Sequence, residues 1–258
     1  MPERLRYQRL RSHYYLIFAA IFVSCLLLSI ALTGCASKYK TKPDYQITEK
    51  VAIDFMTAYQ KGDLAAAMEN VAEDAVLSTD TGNMKGKESI EGMLKLNIQK
   101  ENSMEIVGTE KIDESKIALT IDNKIPLFKL AGVDTIKTVE TFEVQDGKIV
   151  KWEIKYLKES VDFVEQVSAG TTGLEAEVRD GQIVVTKVMP KSPAAFEQIK
   201  VGDIILAIDE VELKDMRYGA EEIPYRLIGK VGTKVKLKIK SDSEEFTVTL
   251  TRVDSRSL

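Results

Sequence analysis

Cysteine and histidine are nearly missing from this chain of 258 residues, which has two cysteines, Cys25 and Cys35, and one histidine, His13. All three fall within the first 35 positions, so everything after them lacks both thiol and imidazole. That excludes from the remainder a disulfide framework, a metal site of the usual His/Cys kind, and any Ser–His or Cys–His nucleophilic pair. Positive charge is also in short supply: 36 Lys and Arg stand against 40 Asp and Glu, a net charge of −4. Loss of residues 1–34 would remove four arginines and Glu3 and move that charge to −7. So acidic a body argues against nucleic acid as a partner, because backbone binding needs basic patches. It argues equally against broad docking on anionic lipid. No motif asks for a cofactor, and the acidic cluster Asp203, Asp209, Glu210, Glu212 and Asp215 lacks calcium-loop spacing, so no metal is expected.

What is present begins with an address. Arg4, Arg6, Arg9 and Arg11 precede an apolar run over residues 16–32, which closes on Leu32-Thr33-Gly34-Cys35. A basic start, an apolar centre and small closing residues describe an export signal. The last four residues resemble the lipobox of bacterial lipoproteins. That resemblance implies cleavage before Cys35, diacylation of its sulfur, and a mature protein anchored on the outer face of the bacterial cytoplasmic membrane. Two acyl chains hold stably, since each buried methylene contributes about 0.8 kcal/mol. The rival reading is an uncleaved transmembrane helix, for which the run lies at the short edge of the roughly 17–25 residues needed. Either way the basic leader stays inside and the rest lies outside the cytoplasm. Residues 35–45, lysine-rich and holding Pro43, read as a tether.

Residues 46–158 read as a first domain. Val51, Ala52, Phe55, Met56 and Tyr59 fall at helical spacing; Gly62 ends that helix, and Asp63 can cap the next, with beats at Leu64, Met68 and Val71. A short strand at residues 75–77 and a helix at 88–99 follow. The period then switches to two: Ile117, Leu119 and Ile121; Phe142 and Val144; and, after the Asp146-Gly147 turn, Val150, Trp152, Ile154 and Tyr156. Helices first and hairpins after is an α+β plan. The phrases YQKGDLAAAMENVAEDAVL, MKGKESI and TFEVQDGKIVKWEIKY, in that order, resemble the SnoaL-like branch of the NTF2-like superfamily. The resemblance implies a curved antiparallel sheet around a long helix, leaving a conical pocket used for catalysis, ligand binding or dimerisation. It places Phe55 where ketosteroid isomerases of the superfamily carry a tyrosine donor, and Thr79 where they carry the base. Phe55, Tyr59, Phe142 and Trp152 are the candidate cavity residues. Tyr59, Glu140 and Glu153 are weighed as pocket groups, with both glutamates better read as the solvent face of strands. Residues 125–130, IPLFKL, read as a flap over the pocket, a dimer face or an ordinary buried loop.

Residues 159–170 read as a linker, with a helical turn around Val161, Phe163 and Val164 and a flexible point at residues 168–170. Beyond it, Asp180-Gly181 signals a tight turn before a strand with beats at Ile183 and Val185. Ser192-Pro193 opens a short helix, Gly202-Asp203 turns the chain, and Ile204 to Ile208 is a buried strand. This order, with SPA…VGDIILAID at its centre, resembles the PDZ modules of carboxyl-terminal processing and HtrA-type proteases over residues 171–253, with 254–258 as a tail. The resemblance implies a β-sandwich capped by helices that captures an extended peptide, or a chain's C-terminus, by strand addition. The edge would be residues 174–178. Thr172, Gly173, Leu174, Glu175 and Ala176 would form the carboxylate loop and edge, and Ile223 and Leu227, one turn apart, the facing helical wall. The lysines of KVKLKIK, residues 234–240, read as the guarded outer face of the last hairpin.

These readings combine into a non-enzymatic, membrane-anchored binding or adaptor protein. No protease domain is expected beside the PDZ-like module. The expected partners are a segment of an exported or membrane protein at the edge, the membrane through the anchor, and a second copy through the NTF2-like domain. The alternative is a small-molecule carrier, or an enzyme of lyase or isomerase type, working in the cone.

Overall fold

A computed structural model describes residues 42–258. The export signal, Cys35 and most of the tether lie outside the described residues. No helix among the described residues is long and apolar enough to cross a membrane.

Helix α1 (Tyr45–Gln60) starts where Asp44 accepts a hydrogen bond from the Gln46 N–H at 2.8 Å, and it buries the expected stripe, Val51, Ala52, Phe55, Met56 and Tyr59. Gly62, at φ 74°, turns the chain out of it. Asp63 then caps α2 (Leu64–Glu69) by accepting from the Ala66 N–H at 3.0 Å. Val71, expected as a helical beat, instead begins β1 (Val71–Thr79). The helix has closed one residue earlier at Asn70, whose side chain donates back to the Ala66 carbonyl. The unit continues through β2 (Gly82–Lys85), α3 (Lys87–Gln99), β3 (Ser103–Asp113), β4 (Lys116–Lys124), α4 (Pro126–Leu130), β5 (Ile136–Gln145) and β6 (Lys148–Tyr156). The six strands form one sheet in the order β2-β1-β6-β5-β4-β3, antiparallel except where β1 runs beside β6. Bulges after Ile106 and Glu143 bend the sheet around α1, which fills its hollow. The helix and curved sheet expected from the sequence are thus both present.

The stretch expected as a linker is instead a regular helix, α5 (Lys158–Ser168). It buries Val164 and Val167 and leaves Val161 and Phe163 exposed. Then come β7 (Gly170–Thr171), β8 (Leu174–Arg179), β9 (Gln182–Val188), α6 (Pro193–Phe196), β10 (Ile204–Ile208), α7 (Glu222–Leu227), β11 (Lys234–Ser241), β12 (Glu244–Thr251) and β13 (Val253–Asp254). The main sheet is antiparallel in the order β12-β11-β10-β9-β8. The expected tail takes part in the fold: β13 pairs with β7, and the Ser255 N–H donates to the Ala169 carbonyl at 2.8 Å. On β11, Val235, Leu237 and Ile239 face the core while the intervening lysines face out, two of them paired with Glu210 and Glu245.

Each unit has its own apolar core. A third cluster joins them: Leu127 and Phe128 of α4, Ala131, Val133 and Ile136 after it, Val164 and Val167 of α5, and Tyr225 of α7. The apolar stretch at residues 125–130 therefore forms a helix seated between the domains.

Candidate functional site

The second domain presents one sheet edge. Strand β8 pairs with β9 on one side, from Leu174 opposite Val188 to Arg179 opposite Gln182, and no other strand among the described residues pairs with its outer side. Helix α7 runs alongside. Edge and wall are thus neighbours, as expected, but the space between them is filled. Leu174, Ile223 and Leu227 are only 6%, 1% and 4% exposed, and all three belong to the domain's core. Ala176 and Val178 pack partly against the same core, while Glu175 points outward and pairs with Lys187 at 2.6 Å. Pro224 occupies the first turn of α7, where a missing N–H costs little.

The loop ahead of β8 is held on both sides. Its Thr172 carbonyl accepts from the Ala194 N–H at 3.1 Å, and its Gly173 carbonyl from the Met189 N–H at 2.8 Å. Gly173 is required twice over: its φ is +79°, and a Cβ there would lie 2.1 Å from that of Ser192. The Gly173 N–H donates to Thr171 Oγ1 at 3.0 Å and the Leu174 N–H to Thr172 Oγ1 at 3.4 Å. In this state the loop's amides are engaged by its own hydroxyls. Arg252, missed by sequence reasoning, fixes the wall helix. Its guanidinium donates to the carbonyls of Arg226 at 2.7 Å, Leu227 at 3.1 Å and Lys234 at 2.9 Å, and to Thr233 Oγ1 at 3.1 Å. Only tertiary pairing brings these groups together, so no local pattern announced it.

In the first domain the four expected cavity residues pack against one another. Phe55 meets Trp152 edge-on at 5.2 Å and Phe142 at 5.8 Å, Phe142 stacks on Trp152 at 5.6 Å, and Tyr59 lies 6.3 Å from Phe55. All four are buried, so they serve as core.

Glu140, expected on the solvent face, is 4% exposed and sits on the inner face of β5 between Thr138 and Phe142, because it shares their alternation. Its two oxygens accept from Trp152 Nε1 at 2.8 Å and from Thr138 Oγ1 at 3.1 Å; Asn123 Nδ2 donates to Thr138 Oγ1 at 2.9 Å. Every donor is neutral. Burial pushes the Glu140 carboxyl up to about 7, with the two hydrogen bonds opposing. Burial also raises the hydroxyls of Tyr59 and Tyr156, and the Glu140 charge adds to both effects. A carboxyl pushed up toward neutral pH has the chemistry of a proton donor or acceptor. The signal was present: Phe142 and Val144 set the inward beat, and counting back by two reaches Glu140. Glu153, half-buried beside Lys155 at 3.3 Å, keeps to the outer face. No group of three or more His, Cys, Asp or Glu among the described residues could hold a metal.

Residues 170–251 match the family model of the PDZ domain, and that part of the chain is a PDZ domain. The chain is 31% identical over 150 residues to the carboxy-terminal processing protease CtpA of Bacillus subtilis, a match covering 52% of this chain and 32% of the relative. It is 27% identical over 162 residues to a probable CtpA-like serine protease of Staphylococcus aureus, covering 58% of this chain and 31% of the relative. The chain thus spans about a third of the length of the curated relatives it matches. Among solved structures, an NTF2-like protein from Cytophaga hutchinsonii aligns at 14% identity and a TM-score of 0.38, covering 48% of this chain and 98% of that one. An LEH-like epoxide hydrolase from M. tuberculosis aligns at 16% and 0.40, covering 46% and 90%.

Proposed function

We propose that this protein is a non-enzymatic, extracytoplasmic binding or adaptor protein, held to the membrane by lipid on Cys35, whose PDZ domain captures an extended segment of an exported or membrane protein. The observation that carries this reading is the edge of β8: a strand that pairs with no strand on its outer side among the described residues, beside a helical wall, in a domain matched as PDZ. Main-chain hydrogen bonds along β8 supply affinity, and the apolar side chains between β8 and α7 supply choice. Residues after Cys35 contain no histidine or cysteine, which narrows the nucleophile chemistry open to them. Leu227 is a core residue, so substituting it would report on folding as much as on binding.

The test is hydrogen exchange of the full chain with and without peptides selected from a random library. Strand capture predicts protection centred on residues 174–179. Selected peptides that protect some other surface and leave β8 unchanged would refute it. For the anchor, labelling with radioactive palmitate should mark the wild type and not Cys35→Ser.

One observation favours a second reading, a carrier or a lyase- or isomerase-type enzyme working in the first domain. Glu140 is a buried carboxyl with only neutral partners and a titration near 7. A metabolite screen scored by thermal shift, with Glu140→Gln as control, tests it. A ligand whose stabilisation survives that substitution would show that Glu140 has no part in binding it.

A further inference from the structure

Helix α7 lies between two bodies. One side faces β8; on the other, α4 of the first domain packs against it. Phe128 of α4 meets Tyr225 of α7 with ring centroids 5.6 Å apart, and Tyr225 is buried. The approach to α7 is held from the first domain as well. Arg217 pairs with Glu101, the Tyr218 hydroxyl donates to Glu101 Oε2 at 3.3 Å, and Lys100 pairs with Glu221 at 2.7 Å. Lys100 and Glu101 both lie in the turn between α3 and β3.

A strand added to β8 would lie about 4.8 Å from it and present alternate side chains toward α7. Leu174, Ile223 and Leu227 already fill that space. A peptide can therefore be seated only if α7 moves outward, and α4 stands in that direction. The two ends of α7 are unlike. Its C-terminal carbonyls are fixed to the second domain by Arg252. Its N-terminal approach is tied by exposed polar contacts to the first domain on both sides of Gly219, a glycine at φ 54°: Arg217 and Tyr218 before it and Glu221 after it.

We infer that the first domain is a latch on the peptide groove: α4 and the Lys100–Glu101 turn hold α7 against β8, and groove opening requires these contacts to release. The inference rests on strand capture at β8 and adds its regulation. Anything that shifts α4, a ligand in the first domain or a partner on its surface included, would change peptide affinity through α7.

The experiment compares the full chain with Phe128→Ala, which removes the ring against Tyr225, and with Glu101→Ala, an exposed substitution that leaves both cores intact. Hydrogen exchange is followed over residues 221–227, and recovery is measured from phage-displayed random dodecapeptides. Exchange is expected to quicken roughly tenfold in Phe128→Ala and less in Glu101→Ala, with phage recovery rising in the same order. Should Phe128→Ala fail to fold, Glu101→Ala decides alone. Unchanged exchange over α7 in every folded variant overturns the latch. Equal phage recovery by wild type and variants, with β8 protected in each, overturns the latch and leaves strand capture standing. Faster exchange with no phage recovered by any chain overturns strand capture, and the regulation built on it.

Discussion

The two domains satisfy their enclosed charges to different degrees. In the second, Arg252 is enclosed but its guanidinium meets three carbonyls and a hydroxyl, and the buried Glu222 accepts from Arg226 and from the Tyr218 N–H. In the first, Glu140 is enclosed with an indole N–H and a threonine hydroxyl and no cation among its bonds. Enclosed charge that is fully partnered acts as a structural fastener. Enclosure costs both groups, lowering Arg252 and pushing Glu140 up to about 7, but Arg252 has four acceptors to offset it and Glu140 two donors. The difference leaves the first domain with an enclosed carboxyl held by two neutral donors and the PDZ domain with an enclosed guanidinium held by four acceptors.

The sharpest way to break that contrast is Arg252→Ala. Three carbonyls lose a charged donor, and a loss of about 4 kcal/mol is expected, read as a lower urea midpoint by circular dichroism. If stability barely moves, Arg252 is no fastener.

Next comes the pH dependence of Glu140. Its folded value of about 7 lies above the ordinary 4.5. Between those values the folded state holds a proton that the unfolded state has released. Stability should therefore fall as pH rises from about 4.5 to about 7, by about 3 kcal/mol in all, and flatten above. Trp152, the chain's single tryptophan and a donor to Glu140, reports it by fluorescence. Glu140→Gln should remove most of that slope, whereas a slope left intact would place the titration elsewhere.

Gly173→Ala is expected to cost about 2 kcal/mol, since it sets a Cβ against Ser192 at a backbone angle that L residues avoid. Its effect should be confined to the second domain's unfolding transition. The smallest effect expected is that of Asp63→Ala, which deletes the α2 cap for about 1 kcal/mol and should move the Trp152 transition alone. Movement of both transitions together would mean that the domains unfold as one unit.

Much of the fold was legible because its signals are local. The caps at Asp63 and Ser192, the turn at Asp180-Gly181 and the alternation on β11 each involve residues a few positions apart. Strand β3 was not, because it is an edge strand whose outer half, rich in charge, stays exposed. The linker concealed α5, whose Val164 and Val167 become a buried stripe only once α4 and α7 are there to cover it. The burial of Leu174, Ile223 and Leu227 between β8 and α7 was not legible, because it depends on how strand and helix pack.

Alternation, capping and turn chemistry within the sequence determined individual helices, strands and turns, because those preferences act over a few residues, while the strand edge and the helix beside it were expected from the resemblance to PDZ modules. Tertiary structure alone decided that Glu140 lacks a counter-charge, that Arg252 gathers four acceptors, and that Phe128 packs on Tyr225 of α7. Each of these depends on which distant groups arrive at the same point, and the environment created there is encoded in no single stretch of chain.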